Sequence, residues 1–508
     1  MKKPVKNEAS LLRTRLEQLA EEDRCRFHMP GHKGKSWQPA DMRLDFTEIP
    51  GSDNLHDPQD VIEQVQEKIA RIYGAAASFM LTGGTTAGII ASMLCACPEG
   101  GRLLIPLNAH RSVYAGLSFG RIEPVFYRPQ TAAAGAVVTA AQAEELFERY
   151  PDVYGILIVS PDYSGCLSET AGIAEAAHRH GKTLITDEAH GAHLHFTGHE
   201  DAVASGSDFT VQSTHKTLSA MTQSSVLHLR SLHFKNRMQK LLAMIESSSP
   251  SYLQMMSIEE AVDEAAESGR EVFSEIERRW EALYDSQTGQ EAFRLIRPSE
   301  QFDAVKWLFA TDDGFRDETI LHDRFGLIAE AVHKHEILMM AGIHTTEEDL
   351  DVLEEAVYWL NLSVDTKATG ATETAETSET AETSTIIETF KTAGNSEITE
   401  AAVQSECSRP AAADLSGFTL KLAPGAAVRS DSCWTRLSGS AGHVSAGFVI
   451  PYPPGIPVLI PGAEITAEIT ETIAGILKSG EEPVGLRITE QGPEIETVTD
   501  GGFSENRG

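Results

Sequence analysis

The sequence predicts an α/β protein: a mostly parallel sheet covered on both faces by helices, followed by a smaller C-terminal α+β domain. Two observations carry this. Near-continuous apolar runs such as Gly155-Ile156-Leu157-Ile158-Val159 alternate with segments of helical spacing, and strands buried on both faces are the ones that read as uninterrupted apolar runs. Beyond an acidic Thr/Glu/Ala tract, a second unit begins near Leu415, with its densest turn signal at Phe448-Val449-Ile450-Pro451-Tyr452-Pro453-Pro454-Gly455-Ile456-Pro457. A backbone that stiff is unsuited to a central strand or helix and positions something.

At 508 residues the chain is too long for one ordinary core. It divides into an N-terminal arm with site loops (1–60), a large domain (61–300) and its continuation (301–365). A low-complexity linker (366–410) and a C-terminal domain (411–508) follow. Hydrophobic residues at 41% and charged residues at 23% fit a globular protein, and no apolar run approaches the roughly 18 residues needed to cross a membrane. The N-terminus has two early lysines but no apolar core like that of a signal peptide, so a cytoplasmic location is expected. Lys plus Arg 42 against Asp plus Glu 75 gives a net charge of −33, which argues against a nucleic-acid surface and suits the attraction of cations. Part of that charge lies in the linker. The 6 cysteines are too scattered for a disulfide framework, and Cys95-Ala96-Cys97 lacks a second pair for zinc, so reduced, buried thiols are expected.

Taken in order, residues 24–57 read as loop with brief extended pieces, punctuated by Pro and Gly. Such a segment serves either a site or the packing of one subunit on another. Val61, Ile62, Val65, Ile69 and Ile72 recur at helical spacing up to Tyr73-Gly74, a helix and its glycine stop. A strand at 78–81, a Gly-rich turn at 82–88 and a helix at 89–95 then bring free backbone N–H groups to a positive helix end, where an anion such as phosphate fits. Alone this signal is weak, because Gly-Thr turns open many helices. Strands at 102–106, 124–127, 155–159 and 183–186 alternate with helices at 112–118, 140–149 and 173–180. A strand at 223–229, helices at 231–247, 258–284 and 349–362, and a β-like segment at 304–308 complete the large domain. In open α/β sheets ligands bind beyond the carboxyl ends of the strands, and Asn108-Ala109-His110, Tyr163 and Asp187 all follow strand ends. The 366–406 tract repeats a Thr/Glu/Ala unit with few apolar anchors and cannot offset its chain entropy, so it reads as a disordered or loosely packed linker.

The chemistry centres on Asp187 to Lys216. A strand delivers an acid at its end, and Ser213-Thr214-His215-Lys216 offers hydroxyls, an imidazole and one amine. The set suits pyridoxal 5'-phosphate: the lysine bonds to the cofactor aldehyde as a Schiff base, and the aspartate keeps the pyridine nitrogen protonated so that the ring accepts electrons. Each residue has a plainer reading. A lysine after Thr-His is usually a surface lysine, and a histidine in Asn-Ala-His is more often a helix cap or core residue. His193 and His195 alternate as on an extended segment and hint at metal, but no matching third ligand accompanies them. Joint occurrence in the right order is what raises the signal.

The segments FHMPGHKG, TEIPGSDNLH, LTGGTTAGI, NAHRS, DEAHGAH, STHKTLSAMTQSS, SSSPSY and PYPPGIP together resemble the Orn/Lys/Arg decarboxylase family, in its short bacterial form without an N-terminal wing domain. The resemblance runs from residue 27 to about 465 and implies an aspartate aminotransferase-like (fold type I) architecture. It implies that Lys216 carries the cofactor, that Asp187 meets the pyridine nitrogen and that His110 stacks on the ring. Thr85 and Thr86 would hold the phosphate from the helix N-terminus, Ser213 and His215 would hold phosphate and ring from the other side, and His190 would lie beside the cofactor. Ser248 or Ser249 would reach the phosphate of a neighbouring subunit, which makes a homodimer or higher homo-oligomer with a shared site the expected assembly.

The implied reaction is decarboxylation of arginine, lysine or ornithine to agmatine, cadaverine or putrescine, a step of polyamine biosynthesis. The carboxylate stands out of the ring plane in a poorly hydrated pocket, and Lys216 or His215 returns a proton to Cα. The distal cation of the substrate needs an acid, with Glu48, Asp53 and Glu464 as candidates. Relatives read Pro-Gly-Glu after the PYPPGIP motif and its apolar triplet, whereas Pro461-Gly462-Ala463-Glu464 displaces the acid by one position. The three substrates differ by a methylene or by a fork against a point charge, which this sequence leaves open. Two rivals remain: an aminotransferase, which needs an Arg to hold the α-carboxylate in plane, and a catalytically silent regulatory protein that binds pyridoxal phosphate or polyamine. Intact Lys216, Asp187 and His110 weigh against the second.

Overall fold

Alternate residues of each apolar run leave a strand on opposite sides, and the central sheet shows the consequence. Leu103, Ile105, Leu157 and Ile185 join one buried core, while Leu104, Ile156, Ile158 and Leu184 join another on the far face. The computed structural model describes residues 25–27, 46–48, 52–287, 292–368, 418–451 and 456–499. The tract called a linker at 366–410 lies almost wholly outside the described residues, as do most of the FHMPGHKG motif and Tyr452 to Gly455.

The large domain begins with β1 (Cys25–Arg26) and α1 (Val61–Tyr73), which Gly74 closes in the left-handed conformation at φ 70°. The alternation continues through β2 (Ala77–Leu81), α2 (Gly84–Ala96), β3 (Arg102–Pro106), α3 (Arg111–Gly120) and β4 (Glu123–Tyr127). Then come α4 (Ala140–Arg149), β5 (Gly155–Val159), α5 (Thr170–Arg179), β6 (Thr183–Asp187), β7 (Phe209–Gln212), the short α6 (Thr214–Thr217) and β8 (Ser225–Leu229). The 7-stranded sheet has the order β2-β8-β7-β6-β5-β3-β4. Strands β7 to β4 in that order are parallel, and β8 runs antiparallel to both its neighbours. Helix α2 presses closely on the sheet at Gly88, where a Cβ would lie 2.5 Å from Val211 Cγ1 and 2.7 Å from Leu81 Cδ1.

Helices α7 (Lys235–Ile245), α8 (Tyr252–Glu264) and α9 (Arg270–Ser286) follow, the last two joined without a break by a π-helical turn at Ala265–Gly269. A 4-stranded sheet then pairs β9 (Phe293–Leu295), β10 (Lys306–Thr311), β13 (Glu336–Met340) and β12 (Ala331–His333) in that order. The periodicity had shown only β10 of these. Between β10 and β12 lie α10 (Gly314–Phe325) and β11 (Leu327–Ile328), which pairs in parallel with β1. Helix α11 (Glu347–Ala368) packs behind this sheet, and Trp280, Trp307, Phe293 and Phe309 fill the core with essentially no exposure.

The C-terminal unit builds a 3-stranded sheet, β14 (Ser432–Arg436), β16 (Gly492–Val498) and β15 (Leu486–Thr489), with α12 (Pro424–Arg429) and α13 (Ala467–Lys478). Its apolar residues Val449, Leu459, Ile460, Ile465 and Ile469 share a core with α2 and α3, so the unit is docked on one face of the large domain. Phe448 meets Tyr114 at 5.8 Å and Phe418 meets Phe126 at 5.7 Å between ring centroids.

The reading of His193 and His195 as an extended pair is corrected. They flank and enter a 3-10 turn, Leu194–Phe196. His193 Nε2 lies 2.9 Å from Asp303 Oδ1, and His195 Nδ1 lies 2.7 Å from Asp201 Oδ2. Each imidazole thus has its own carboxylate, and among the described residues no cluster of three or more His, Cys, Asp or Glu could hold a metal ion. Cys95, Cys97 and Cys166 are buried free thiols, whereas Cys433 is exposed.

A buried imidazole ties three strands together. His228, 1% exposed, has Nδ1 2.7 Å from Ser78 Oγ and Nε2 3.1 Å from Gln212 Oε1. Burial lowers its pKa from 6.5 to about 3, against the pull of Asp201. The unfolded chain takes up this proton near pH 6.5 and the native one does not, so stability falls as pH drops below 6.5. Between pH 7 and pH 5 this one group should cost on the order of 2 kcal/mol. Urea midpoints at the two pH values measure the loss, and His228→Asn should show a smaller one. An equal loss in the variant would place the titration elsewhere.

Candidate active site

The site forms where β6 and β7 end side by side, with Asp187 opposite Val211 in register. Asp187 is the last residue of its strand and 5% exposed, with Oδ1 accepting the Ala189 N–H at 3.2 Å. Burial pushes its carboxyl up, while the Lys216 ammonium pulls it down. Lys216 sits on α6, immediately after β7. Burial lowers its pKa, and the carboxylates of Asp187 and Glu330 oppose that shift. The amine and the acid that the sequence singled out therefore lie within electrostatic reach of each other.

Three histidines surround them. His110 caps α3 by accepting the Ser112 N–H on Nδ1, so the plain helix-cap reading holds as well. Burial, then Lys216 and Arg111, lowers its pKa to about 4, which leaves a neutral flat ring at neutral pH. His190 Nε2 is 3.0 Å from Lys216 Nζ, and its Nδ1 is 2.8 Å from the Nζ of Lys306. Burial, with the two lysines, holds the His190 imidazole well below its usual range. His215 points its Nδ1 at the Ser224 carbonyl at 2.9 Å.

A hydroxyl cluster marks the other end of the site. Thr85 Oγ1 hydrogen-bonds Ser213 Oγ and lies 3.0 Å from Ser225 Oγ, at the first turn of α2. Gly83 gives that helix no side-chain cap, and Gly84 adopts φ +73°, which favours glycine. Thr86 is exposed beside it. The Thr214 hydroxyl, on the same turn as Lys216, is buried with no hydrogen-bond partner. A coupled amine and carboxylate, with clustered hydroxyls at a helix N-terminus where Glu246 Oε1 accepts the Gly83 N–H at 2.6 Å, match the three ends of pyridoxal phosphate: aldehyde, ring nitrogen and phosphate. The residues present fit this group.

Other predicted residues stand apart. Ser248 and Ser249 lie exposed on the turn between α7 and α8. Asp53 is a structural cap: its carboxylate accepts the backbone N–H groups of Asn54, Gln59, Asp60 and Ile62 at 2.8 to 3.0 Å. Glu464 pairs with Lys421 at 3.0 Å inside the C-terminal unit. Glu48 accepts from Thr47 Oγ1 at 2.5 Å and has its Oε1 buried. The carboxylates that act on Lys216 are Asp187 and Glu330, not these three.

Sequence reasoning missed Lys306 and Glu330. Lys306 has no exposure at all, and Glu330 accepts from the Tyr163 hydroxyl at 3.0 Å. The available signal for Lys306 was a single charge inside the apolar run Ala304-Val305-Lys306-Trp307-Leu308-Phe309, because a charge enters a strand core only with partners. Glu330 had no comparable local signal.

A mixed sheet with one antiparallel strand, and a lysine and an aspartate at adjacent strand ends, define a pyridoxal-phosphate enzyme of the aspartate-aminotransferase fold. The lysine decarboxylase LdcF of Francisella novicida shares that fold, with a TM-score of 0.69 at 19% identity over 89% of this chain and 73% of that one. The chain belongs to the Orn/Lys/Arg decarboxylase family, pyridoxal-phosphate-dependent enzymes acting on basic amino acids: the model of the family's major domain matches residues 11–323, and that of its C-terminal domain residues 418–499. It is 28% identical to the arginine decarboxylase of Bacillus subtilis over 96% of both chains. It is 27% identical to that of Halalkalibacterium halodurans over 94% of both. Among the described residues no helix is long and apolar enough to cross a membrane.

Proposed function

We propose that the chain decarboxylates arginine in preference to lysine or ornithine, using Lys216 as the cofactor lysine and Asp187 as the partner of the ring nitrogen. The single observation that carries the site assignment is the electrostatic coupling of a buried carboxylate and a lysine whose Nζ is 3.0 Å from an imidazole. The preference for arginine rests on relatives with that name, which align with nearly the whole chain. When bound, pyridoxal phosphate supplies the electron sink for the pair left behind as CO₂ departs. Thr85, Thr86 and Ser213 would hold the phosphate, and the neutral His110 ring would pack against the cofactor. Lys216 Nζ or His215 stores the proton that returns to Cα. The exposed Ser248 and Ser249 serve a second subunit's phosphate site, so the working enzyme is a homodimer or a larger assembly of dimers.

Side-by-side turnover of the three amino acids tests the substrate choice. The expected result is CO₂ release from all-L arginine with the highest kcat/KM, with agmatine as product. Faster turnover of lysine or ornithine would overturn the preference, and keto-acid formation in place of CO₂ would overturn the reaction.

A further inference from the structure

Lys306 is a buried cation that the reaction as described does not use. It lies on β10, 0% exposed, with Nζ 2.8 Å from His190 Nδ1, 2.9 Å from the Met340 sulfur and 5.3 Å from the Tyr163 ring centroid. The other nitrogen of His190 is 3.0 Å from Lys216 Nζ. One imidazole thus stands between two lysine nitrogens, each at hydrogen-bonding distance.

That arrangement restricts where protons sit. A neutral imidazole has one N–H donor and one acceptor nitrogen, and an ammonium only donates. Two ammonium groups cannot both be satisfied by it, so one lysine nitrogen must offer a lone pair to an imidazole N–H. The bond that Lys216 makes decides which, because burial lowers both lysines and carboxylates oppose the shift at both. Burial, with the charge of Lys216 adding to it, lowers the Lys306 pKa to about 8 against the pull of Glu330, Asp303 and Asp162, which leaves the amine mostly protonated at neutral pH. Lys216 has Asp187 and Glu330 on its side. Lys216 is also the amine that bonds to the cofactor aldehyde, after which it is no longer a free ammonium. His110 and His215 also face His190, and both are cationic only when protonated.

We propose that Lys306 is a positioning residue: its ammonium donates to His190 Nδ1, holds the imidazole as the Nε2–H tautomer, and so presents a hydrogen-bond donor backed by a fixed positive charge to the Lys216 nitrogen. This deepens the reading of Lys216 as the cofactor lysine and rests on it. The consequence is that a proton on the Lys216 nitrogen is disfavoured. Met340 accepts weakly from a second Lys306 N–H, and the apolar wall of β10 keeps water from taking over the role.

The test uses the cofactor-loaded enzyme and reads the visible absorbance of the bound cofactor against pH, with no dependence on turnover. Lys306→Met keeps length and fits beside Met340 but removes the charge. Its absorbance inflection should move up by about one pH unit or more, the size of a charge effect over a few ångströms at the effective dielectric of a protein site. Lys306→Arg should restore the inflection to near the wild-type position. A loaded Lys306→Met enzyme with an unmoved inflection overturns the proposal. If that variant does not fold, or the wild-type spectrum has no inflection, ¹⁵N-histidine labelling of the wild-type holoenzyme decides, with His190→Gln used for assignment. An unprotonated Nδ1 supports the proposal and a protonated Nδ1 refutes it. Failure of the underlying assignment looks different: borohydride would then fix the cofactor to a lysine other than Lys216.

Discussion

Lys216→Ala is expected to abolish the visible absorbance of the bound cofactor and to lower turnover by ~10⁴-fold or more, the scale seen when a covalent nucleophile is removed. The reason is positional. α6 follows β7 directly, so the strand end delivers Nζ to the site beside His190, within electrostatic reach of Asp187. The other lysine nearby, Lys306, is separated from that site by the His190 ring, because its Nζ meets the opposite nitrogen. It should not substitute. Mass spectrometry after borohydride reduction makes the check sharp, since wild type should carry the reduced cofactor on the peptide containing Lys216 and the variant should carry none. Retention of an unchanged spectrum by the variant would remove the basis of the proposed function.

Asp187→Asn should separate activity from stability. The asparagine oxygen can still accept the Ala189 N–H that Oδ1 accepts at 3.2 Å, so the local turn is kept. A neutral amide cannot hold a proton on a pyridine nitrogen, and turnover should fall by roughly 10³-fold or more, as for other losses of transition-state electrostatics. Burial already disfavours the ionised carboxylate, and removing that charge relieves its desolvation. The variant without cofactor should therefore unfold at a temperature equal to or above that of wild type without cofactor. Calorimetry and turnover on the same preparation measure both halves. A variant with activity within tenfold of wild type would show that Asp187 does not meet the ring nitrogen.

Local order carried much of this into view. Strand 102–106, helix 140–149 and strand 155–159 follow from periodicity alone, because each buries its apolar residues against neighbours close in sequence or on a regular face. The Gly-rich turn at 82–88, His110 and the Asp187-to-Lys216 stretch were legible for a related reason. The proposed phosphate cup and Schiff-base lysine would need particular residue types at short, fixed offsets from strand ends.

The chain by itself determined the α/β alternation, the paired acid and amine, and the family. Tertiary structure alone decided that the Asp53 carboxylate caps a loop, accepting four backbone N–H groups along a path that no spacing rule predicts. It also decided that Lys306, some ninety positions beyond Lys216 in the sequence, reaches the far side of His190, and that Glu330 acts on both lysines. Contacts of that kind depend on how the second sheet packs against the first. Packing across such separations is set by the summed burial of many apolar residues, which leaves no pattern at the positions that meet.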